Sequence, residues 1–369
     1  MKQSIVEFLA CPRCAGPLEI DSETISQRSE PAEIESGSLN CQPCSLSFPI
    51  EGGIPRFVRA DWAGQTDIHT GERFGDSWKR FSRLHEKYTQ QFFDWVAPVS
   101  QQFVKDKVVL DAGCGKGRHV NIVAHAGARA VIAADIGSAI EVAYRNVGHL
   151  SNVHVIQADL KDLPLKPCFD WIYSTGVLHH MQEPAGGFAA IKTKLNPTGA
   201  LSVWVYGRES NGWIIHFINP LRTAITSKMP SLALNSISLM AACIVSFVSR
   251  FMARPWANIQ ARHSWLPSLF YQKYLAYIAD FDLLEIHHIV FDHLTAPVAY
   301  YLPKTEVERW YQSQGFPNAV IRWHNQNSWS GFGTIAGNST EEVFYNTAVA
   351  PHAEQPATDP VKVERLHAM

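Results

Sequence analysis

The chain has 369 residues, with 32 Lys+Arg against 34 Asp+Glu and a formal net charge of −2. That length allows two or more domains and a substantial core, and the charge balance excludes a global basic field for nucleic acid, though not a local patch. Met1 to Ala10 carry the acidic Glu7 and no long apolar run, which is not the pattern of a secretory signal. Seven cysteines, four of them in two Cys-x-x-Cys pairs, point to metal binding in a reducing cytoplasm rather than to disulfides.

The first element is that doublet of pairs. Cys11 and Cys14 are separated from Cys41 and Cys44 by 26 residues. Each pair can grip one edge of a tetrahedral Zn²⁺ from a tight knuckle turn, helped by Pro12 and Pro43. A redox role is the weaker alternative, because one such motif would suffice for it. Residues 21–38, rich in Ser and Glu, read as an exposed loop between the knuckles. In so small a module zinc would be structural and supply about 10 kcal/mol of folding energy. Leu9 to Pro12 together with Phe48 to Pro55 resemble the small zinc-ribbon subunit that activates several tRNA, ribosomal-RNA and release-factor methyltransferases. The resemblance covers residues 1–58. Fusion to a larger chain would raise the effective concentration of the two parts, but does not by itself bring an RNA substrate along.

Residues 59–73 read as a linker. Phe74, Trp78, Phe81, Tyr88, Phe92 and Trp95 then recur at helical spacing. Val108, Val109 and Leu110 suit a strand buried on both faces of a parallel sheet. Asp111 ends it, and Gly113, Gly115 and Gly117 make a tight turn into a helix that ends near Gly127. The spacing is Gly-x-Gly-x-Gly rather than the Gly-x-Gly-x-x-Gly of a dinucleotide fold. A carboxylate at Asp111 would repel a pyrophosphate but could accept the ammonium of an amino-acid-like ligand.

This stretch resembles the first motif of the class I S-adenosylmethionine-dependent methyltransferases, and three further motifs follow in the family's order. Ala130 to Ile136 is an apolar strand whose closing acid, Asp135, lies 24 residues after Asp111; an acid there can accept both ribose hydroxyls. Val153 to Leu160 is the third strand, with Asp159 where the family receives the adenine amino group. Phe169 to His180 is the fourth strand and its loop, and Ala200 to Tyr206 the fifth strand. The resemblance implies S-adenosyl-L-methionine as cofactor, bound by Asp111, Gly113, Gly115, Gly117, Asp135, Ile136, Asp159, Leu160 and Thr175. It further implies a lid formed by an N-terminal helix, with Phe74 and Trp78 as candidate lid residues. The branch it lies near is the ubiquinone/menaquinone-methyltransferase-like one.

The fourth loop narrows the chemistry. There is no Asn-Pro-Pro-Tyr of the amino-methylating nucleic-acid enzymes, and Cys168 precedes the strand instead of following it as a cytosine nucleophile would. His180 is the candidate catalytic base, since an imidazole titrating near 6.5 can take a hydroxyl proton; holding the loop by hydrogen bonds is the equal alternative. His179 reads as pointing elsewhere.

The family's closing elements come late: a helix from Lys304 to Gln314, then strands from Ala319 to His324 and from Trp329 to Ala336. Residues 207–302 are therefore a helical insertion at the acceptor edge. Lys228 to Arg250 enclose a stretch without charge, read first as an apolar cap over the site and second as a surface helix dipping into a membrane. Arg222, Lys228, Arg250 and Arg254 flank it and could meet phosphates. Asp292, His293 and Tyr300 lie just before the last helix and could face the pocket. His287 and His288 read as alternating on a strand, hence a poor metal site. Asn219 to Arg222 and Ile289 to Tyr301 look like uncharacterised methyltransferases of surface-glycan gene clusters.

The expected architecture is thus an α/β, Rossmann-like seven-stranded methyltransferase sheet with an N-terminal zinc ribbon and a helical insertion after the fifth strand. Its parts are 1–58 (ribbon), 59–106 (linker and lid helices), 107–206 (cofactor core), 207–302 (insertion), 303–337 (last helix and strands) and 338–369 (disordered tail). The expected function is methyl transfer to a hydroxyl or amine of a small, lipid-linked or sugar-linked metabolite. The alternatives are an RNA-modifying methyltransferase of the tRNA wobble-uridine type and a zinc-dependent scaffold without catalysis. The expected place is the cytoplasm, with peripheral contact to the inner membrane face through 229–253.

Overall fold

The computed structural model describes residues 1–26, 33–59, 61–62, 64–269 and 271–335. The expected tail, 338–369, lies outside them. A short 3-10 turn at Gln3–Glu7 leads into a four-stranded antiparallel sheet of β1 (Glu19–Ser26), β2 (Glu33–Cys41), β3 (Leu46–Glu51) and β4 (Ile54–Pro55), in that order. Residues 21–38, expected as a loop, thus contribute two paired strands, with Asp21 opposite Ser38 and Ile25 opposite Ile34. The side chains at the knuckle-to-strand transition are polar, but Ile34 and Leu39 are buried and anchor the hairpin to the core.

Three helices follow: α1 (Gln65–Arg80), α2 (Tyr88–Val96) and α3 (Gln101–Val104). Most of the expected linker is therefore helix; polar composition there reflects one solvated face, while Asp67 and Thr70 are buried. The core then alternates strand and helix: β5 (Val108–Ala112), α4 (Arg118–His125), β6 (Ala130–Asp135), α5 (Ala139–Val147), β7 (Val153–Gln157), β8 (Phe169–Thr175), α6 (Pro184–Lys192) and β9 (Leu195–Tyr206). β7 ends at Gln157, because Asp159 turns to cap a 3-10 turn at Leu160–Asp162, accepting from the Lys161 backbone N–H at 2.9 Å.

The insertion carries α7 (Asn219–Ala224), α8 (Ser231–Val248), α9 (Arg254–Arg262), α10 (Gln272–Ile278) and α11 (Leu283–Thr295). The chain closes with α12 (Lys304–Ser313), β10 (Val320–His324) and β11 (Ser328–Thr334). The second sheet has the order β10-β11-β9-β8-β5-β6-β7. Its five central and edge strands β5 to β9 are parallel, and β11 and β10 close it antiparallel. Val108, Val109 and Leu110 are fully buried on β5, as strands covered by helices on both faces require.

The ribbon is sewn onto this core by main-chain bonds. Ala10 N–H donates to Pro164 O (2.9 Å), Lys166 N–H to Phe8 O (2.9 Å) and Phe57 N–H to Gln157 O (2.8 Å). Ile5, Phe8, Leu9, Leu39 and Phe48 share one apolar cluster with Leu110, Ile132 and Ile156. Burial of this kind contributes roughly 25 cal/mol per Å² of apolar surface, so the two parts stabilise one another.

The insertion departs most from expectation. His287 and His288 sit on helix α11, not on a strand. The uncharged stretch is helical, and α8 runs through a π turn into α9 over Ser231–Arg262, long and apolar enough by length and composition to cross a membrane. A core helix passes the same test, and membrane contact does not follow from it. Nor does α8 cap the site: Leu232, Met240, Ile244 and Phe247 are exposed, and only Leu234, Ser238, Ala242 and Ser246 are buried. Three of the four flanking cations are taken up within the protein. Arg250 donates to Phe281 O (2.7 Å), Arg254 pairs with Asp280 (2.5 Å), and Arg222 is buried.

Candidate active site

The carboxyl ends of β5, β6, β8 and β9 open into a cavity of about 220 Å³, roofed by α1 and by α10 and α11 of the insertion. Gly113, Gly115, Asp135, Ile136, Asp159, Leu160, Thr175 and His180 all line it. Gly113 and Gly115 take positive φ (97° and 52°), and a Cβ on Gly113 would lie 2.3 Å from Val177 Cγ2. Only glycine fits such a turn without strain.

Asp135 is held rigidly. Its Oδ2 accepts from Gly115 N–H and its Oδ1 from Gly137 N–H, each at 2.9 Å. Every carboxylate oxygen retains a further lone pair, so the group can still accept two hydroxyls. At the next strand end Asp159 Oδ2 and, on β8, Thr175 Oγ1 are buried without a partner. Orphaned polar atoms of this kind are costly unless a ligand completes them. A nucleoside bearing an amino acid meets these donors and acceptors, so the residues present fit S-adenosylmethionine.

Two expected cofactor residues stand elsewhere. Asp111 is 1% exposed and lies behind the cavity wall, where its Oδ2 accepts from the Tyr173 hydroxyl at 2.9 Å. Burial pushes its carboxyl up to about 8, with Tyr173 opposing. It is not among the residues that line the cavity. Gly117, in the left-handed region at φ 81°, is the N-cap of α4 and packs against Val147 and Ala143.

The roof is built from distant sequence. Phe74 and Trp78 of α1 line the cavity, and a Cβ on Gly115 would lie 3.0 Å from Trp78 Nε1. Helix α1 approaches β6 so closely that a Cβ on Gly71 would meet Ile136 Cγ2 at 2.6 Å. From the insertion, Glu285, His288 and Asp292 recur at one face of α11 and line the same cavity. His288 Nδ1 lies 3.1 Å from Glu285 Oε1 and its Nε2 3.0 Å from Asp292 Oδ2. Asp292 Oδ1 accepts from Ser77 Oγ at 2.5 Å, tying α11 to the lid helix. Burial opposes every charge here, but the acids raise His288 above its ordinary value, and His288 holds Glu285 down to about 2 and Asp292 below its usual range. His293 also lines the cavity and stacks on Tyr206 (5.5 Å); Tyr300 is 44% exposed and does not.

His180 has a fixed setting. Its Nδ1 is 2.6 Å from Val298 O, so Nδ1 carries the proton and donates, leaving Nε2 as the lone-pair nitrogen. Burial pushes its pKa down to about 4, the Val298 bond opposing. Phe74 packs against it at 4.8 Å. His179 turns away and lies against Tyr206 at 4.0 Å. Cys168 is half-buried against the core, away from the cavity.

Sequence reasoning passed over Glu285 and His288, as well as Gln91, Trp95, Trp204 and Tyr277, which form the cavity's other end. The spacing of Glu285, His288 and Asp292 was a usable signal, hidden because the segment read as a strand.

At the ribbon, Sγ atoms of Cys11, Cys14, Cys41 and Cys44 all lie within 4.8 Å of one another. Cys11 to Cys44 is 3.9 Å and Cys14 to Cys41 3.5 Å. Zn–S bonds of about 2.3 Å in a tetrahedron put sulfurs about 3.8 Å apart, so four thiolates in this arrangement fit the metal.

Comparison with known proteins bears on both parts. The family described as "Methyltransferase domain" matches residues 110–203, and the one described as "Trm112p-like protein" matches residues 2–53. A protein of Cellvibrio japonicus named tRNA U34 carboxymethyltransferase is 34% identical over 116 residues, 29% of this chain and 36% of that protein. Its namesake from Pseudoalteromonas translucida is 33% identical over 101 residues, covering 27% and 31%. The chain thus spans about a third of the length of the curated relatives it matches. A solved S-adenosylmethionine-dependent methyltransferase from Aquifex aeolicus is 12% identical with a TM-score of 0.37, covering 69% of this chain and all of that one; likeness at that level carries no argument.

These findings correct the substrate expectation. The relatives named above are tRNA enzymes, so the small, lipid-linked or sugar-linked acceptor is overturned, and neither the membrane contact through 229–253 nor the ubiquinone/menaquinone-like branch gains support. The scaffold alternative falls with the methyltransferase match and the donor cavity. The chain therefore carries a methyltransferase domain over residues 110–203, on the seven-stranded sheet, and a Trm112p-like domain over residues 2–53.

Proposed function

We propose that this enzyme modifies tRNA at the wobble uridine. The observation that carries the reading is the continuity of one cavity. The same cavity is lined by Asp135, Asp159 and Thr175 and by the aromatic side chains of Trp95, Trp204, Tyr206, Tyr274 and Tyr277. Aromatic walls receive a splayed-out base by stacking, the usual route of base-specific RNA recognition. The relatives' printed name, tRNA U34 carboxymethyltransferase, supports the same substrate.

Asp135 would take the donor's ribose hydroxyls, and Asp159 and Thr175 would complete their hydrogen bonding on the adenosine and amino-acid ends. Bound S-adenosylmethionine supplies an electrophilic methyl on a sulfonium leaving group. The chain's contribution is chiefly alignment of acceptor with donor under the lid. His180, neutral at physiological pH with Nε2 free, would take the acceptor's proton where the nucleophile is a hydroxyl of the ribose or of a hydroxylated base, a contribution of about 10²–10⁴. A tRNA substrate would place the reaction in the cytoplasm. The four cysteines hold one structural Zn²⁺ with all coordination positions filled. Elemental analysis should find one equivalent of zinc per chain, lost in Cys41→Ser.

The test of substrate is incubation of purified enzyme and S-adenosylmethionine with tRNA, and separately with lipid and glycan fractions. Nuclease digestion and mass spectrometry then follow. A methylated uridine supports the reading, and a product confined to the other fractions overturns it. Binding to tRNA should weaken steeply with salt, as phosphate contacts require. The relatives' name speaks of a carboxymethyl group, and the mass of the product nucleoside distinguishes it from methyl.

A further inference from the structure

Two buried polar atoms at the aromatic end of the cavity have no use in the fold. Gln91, 7% exposed, leaves Oε1 without a hydrogen-bond partner, and Trp204, 8% exposed, leaves its indole N–H without one. Both side chains line the cavity. Gln91 and Tyr277 both line this part of the cavity. Trp204 stacks on Trp95 (4.2 Å between centroids, 17° between planes), which fixes its ring without employing the N–H. The site therefore holds one unpaired acceptor and one unpaired donor beside aromatic walls.

We infer that Gln91 and Trp204 are specificity-determining residues that read the imide edge of a uracil ring, Gln91 Oε1 accepting from N3–H and the Trp204 indole N–H donating to a flanking carbonyl. The inference rests on the proposed tRNA reading and adds how the base is chosen. A uracil ring carries an N–H donor between two carbonyl acceptors. Cytosine carries an acceptor at N3, which would face the Gln91 carbonyl lone pair to lone pair. A buried acceptor left facing another acceptor is the kind of mismatch by which a hydrogen-bonding site rejects an analogue. The hydrophobic walls alone, Trp95 and Tyr277 among them, would stack either pyrimidine and tell them apart poorly.

The experiment uses the full chain and two tRNA substrates, one with uridine and one with N3-methyluridine at the target position. Wild-type enzyme, Gln91→Leu and Trp204→Phe are compared by kcat/KM. On uridine, Gln91→Leu should lose roughly 10–100-fold, the worth of one buried hydrogen bond. N3-methylation should cost wild type a similar factor, and Gln91→Leu should show little further loss on that substrate. Such non-additivity is expected of partners in contact and not of a residue that merely supports the fold. Trp204→Phe keeps the ring and should lose activity on both substrates alike; it serves as the second variant if Gln91→Leu does not fold. Equal activity of wild type on the two tRNAs, or the same penalty for Gln91→Leu on both, overturns the inference while leaving the tRNA reading intact. No product from wild type on unmodified tRNA overturns the reading itself.

Discussion

The two halves of the cavity reached their geometry by different routes. The donor half is made by strand ends and the turns between them. Gly113, Gly115, Asp135 and Asp159 follow β5, β6 and β7 at intervals set by the βαβ repeat, and backbone N–H groups fix their carboxylates. The acceptor half is assembled from α1, α2, α10, α11 and the β10–β11 turn, whose residues lie up to about two hundred and fifty positions apart. A donor site dictated by backbone conformation leaves a local signature; an acceptor site dictated by side-chain convergence does not. The contrast teaches that chemistry common to many substrates is written locally, and substrate choice is not.

The contrast can be broken first at His180, where the halves meet. His180→Ala should lower kcat by about 10³, roughly 4 kcal/mol, while binding of S-adenosylhomocysteine persists. Loss of binding instead would assign the histidine to loop support. In the wild type the acid limb of the rate profile should follow the depressed pKa. Activity should hold from pH 8 down through 6.5 and fall near 4, because the base works only when unprotonated.

Asp135→Ala probes the donor half alone. Removing a carboxylate that can accept both ribose hydroxyls should weaken donor binding about 100-fold, near 3 kcal/mol, measured by calorimetry with S-adenosylhomocysteine. Undiminished binding would contradict the assignment of the second strand end.

Asp292→Asn tests the roof. It removes the charge that pairs with His288 and weakens the bond from Ser77, and should destabilise the fold by about 2 kcal/mol in thermal or denaturant unfolding. No change in stability would mean that α11 and α1 are not coupled through this cluster.

The smallest effect sharpens the comparison from beneath. Asp111 keeps its proton in the native state up to about 8 but releases it near 4 when unfolded. Wild type therefore loses stability from this group as pH rises through about 4 to 8. Asp111→Asn replaces a neutral acid by a neutral amide, so near pH 4 it should change stability by less than about 1 kcal/mol, and because it removes that pH dependence the variant should gain on wild type as pH rises towards 8. Abolished donor binding with an intact fold would restore Asp111 to the cavity.

Legibility of the sequence follows the same division. The order of strands, the glycine turn, the strand-end acids and the cysteine pairs were readable because each is a local pattern with a geometric cause. Asp111 looked like a ligand because it shares the strand-end position of Asp135, but the Tyr173 hydroxyl that seals it comes 62 residues later. His287 and His288 were misread because β-branched and aromatic neighbours mimic a strand, whereas Asp282 caps a helix by accepting from Glu285 N–H at 2.8 Å. The uncharged stretch 229–249 was read as the cap on hydrophobicity alone. The actual roof includes the more polar α11, which brings Glu285, His288 and Asp292 to the cavity. Nothing in the spacing of Gln91, Trp204 and Tyr277 brings them together; only the packed fold does.

The most direct measurement is nucleoside analysis of the wobble position in tRNA from cells with the wild-type gene, without it, and with His180→Ala in its place. The account predicts a modified uridine that is present with wild type and absent in the other two. Identical wobble nucleosides in all three strains would contradict it.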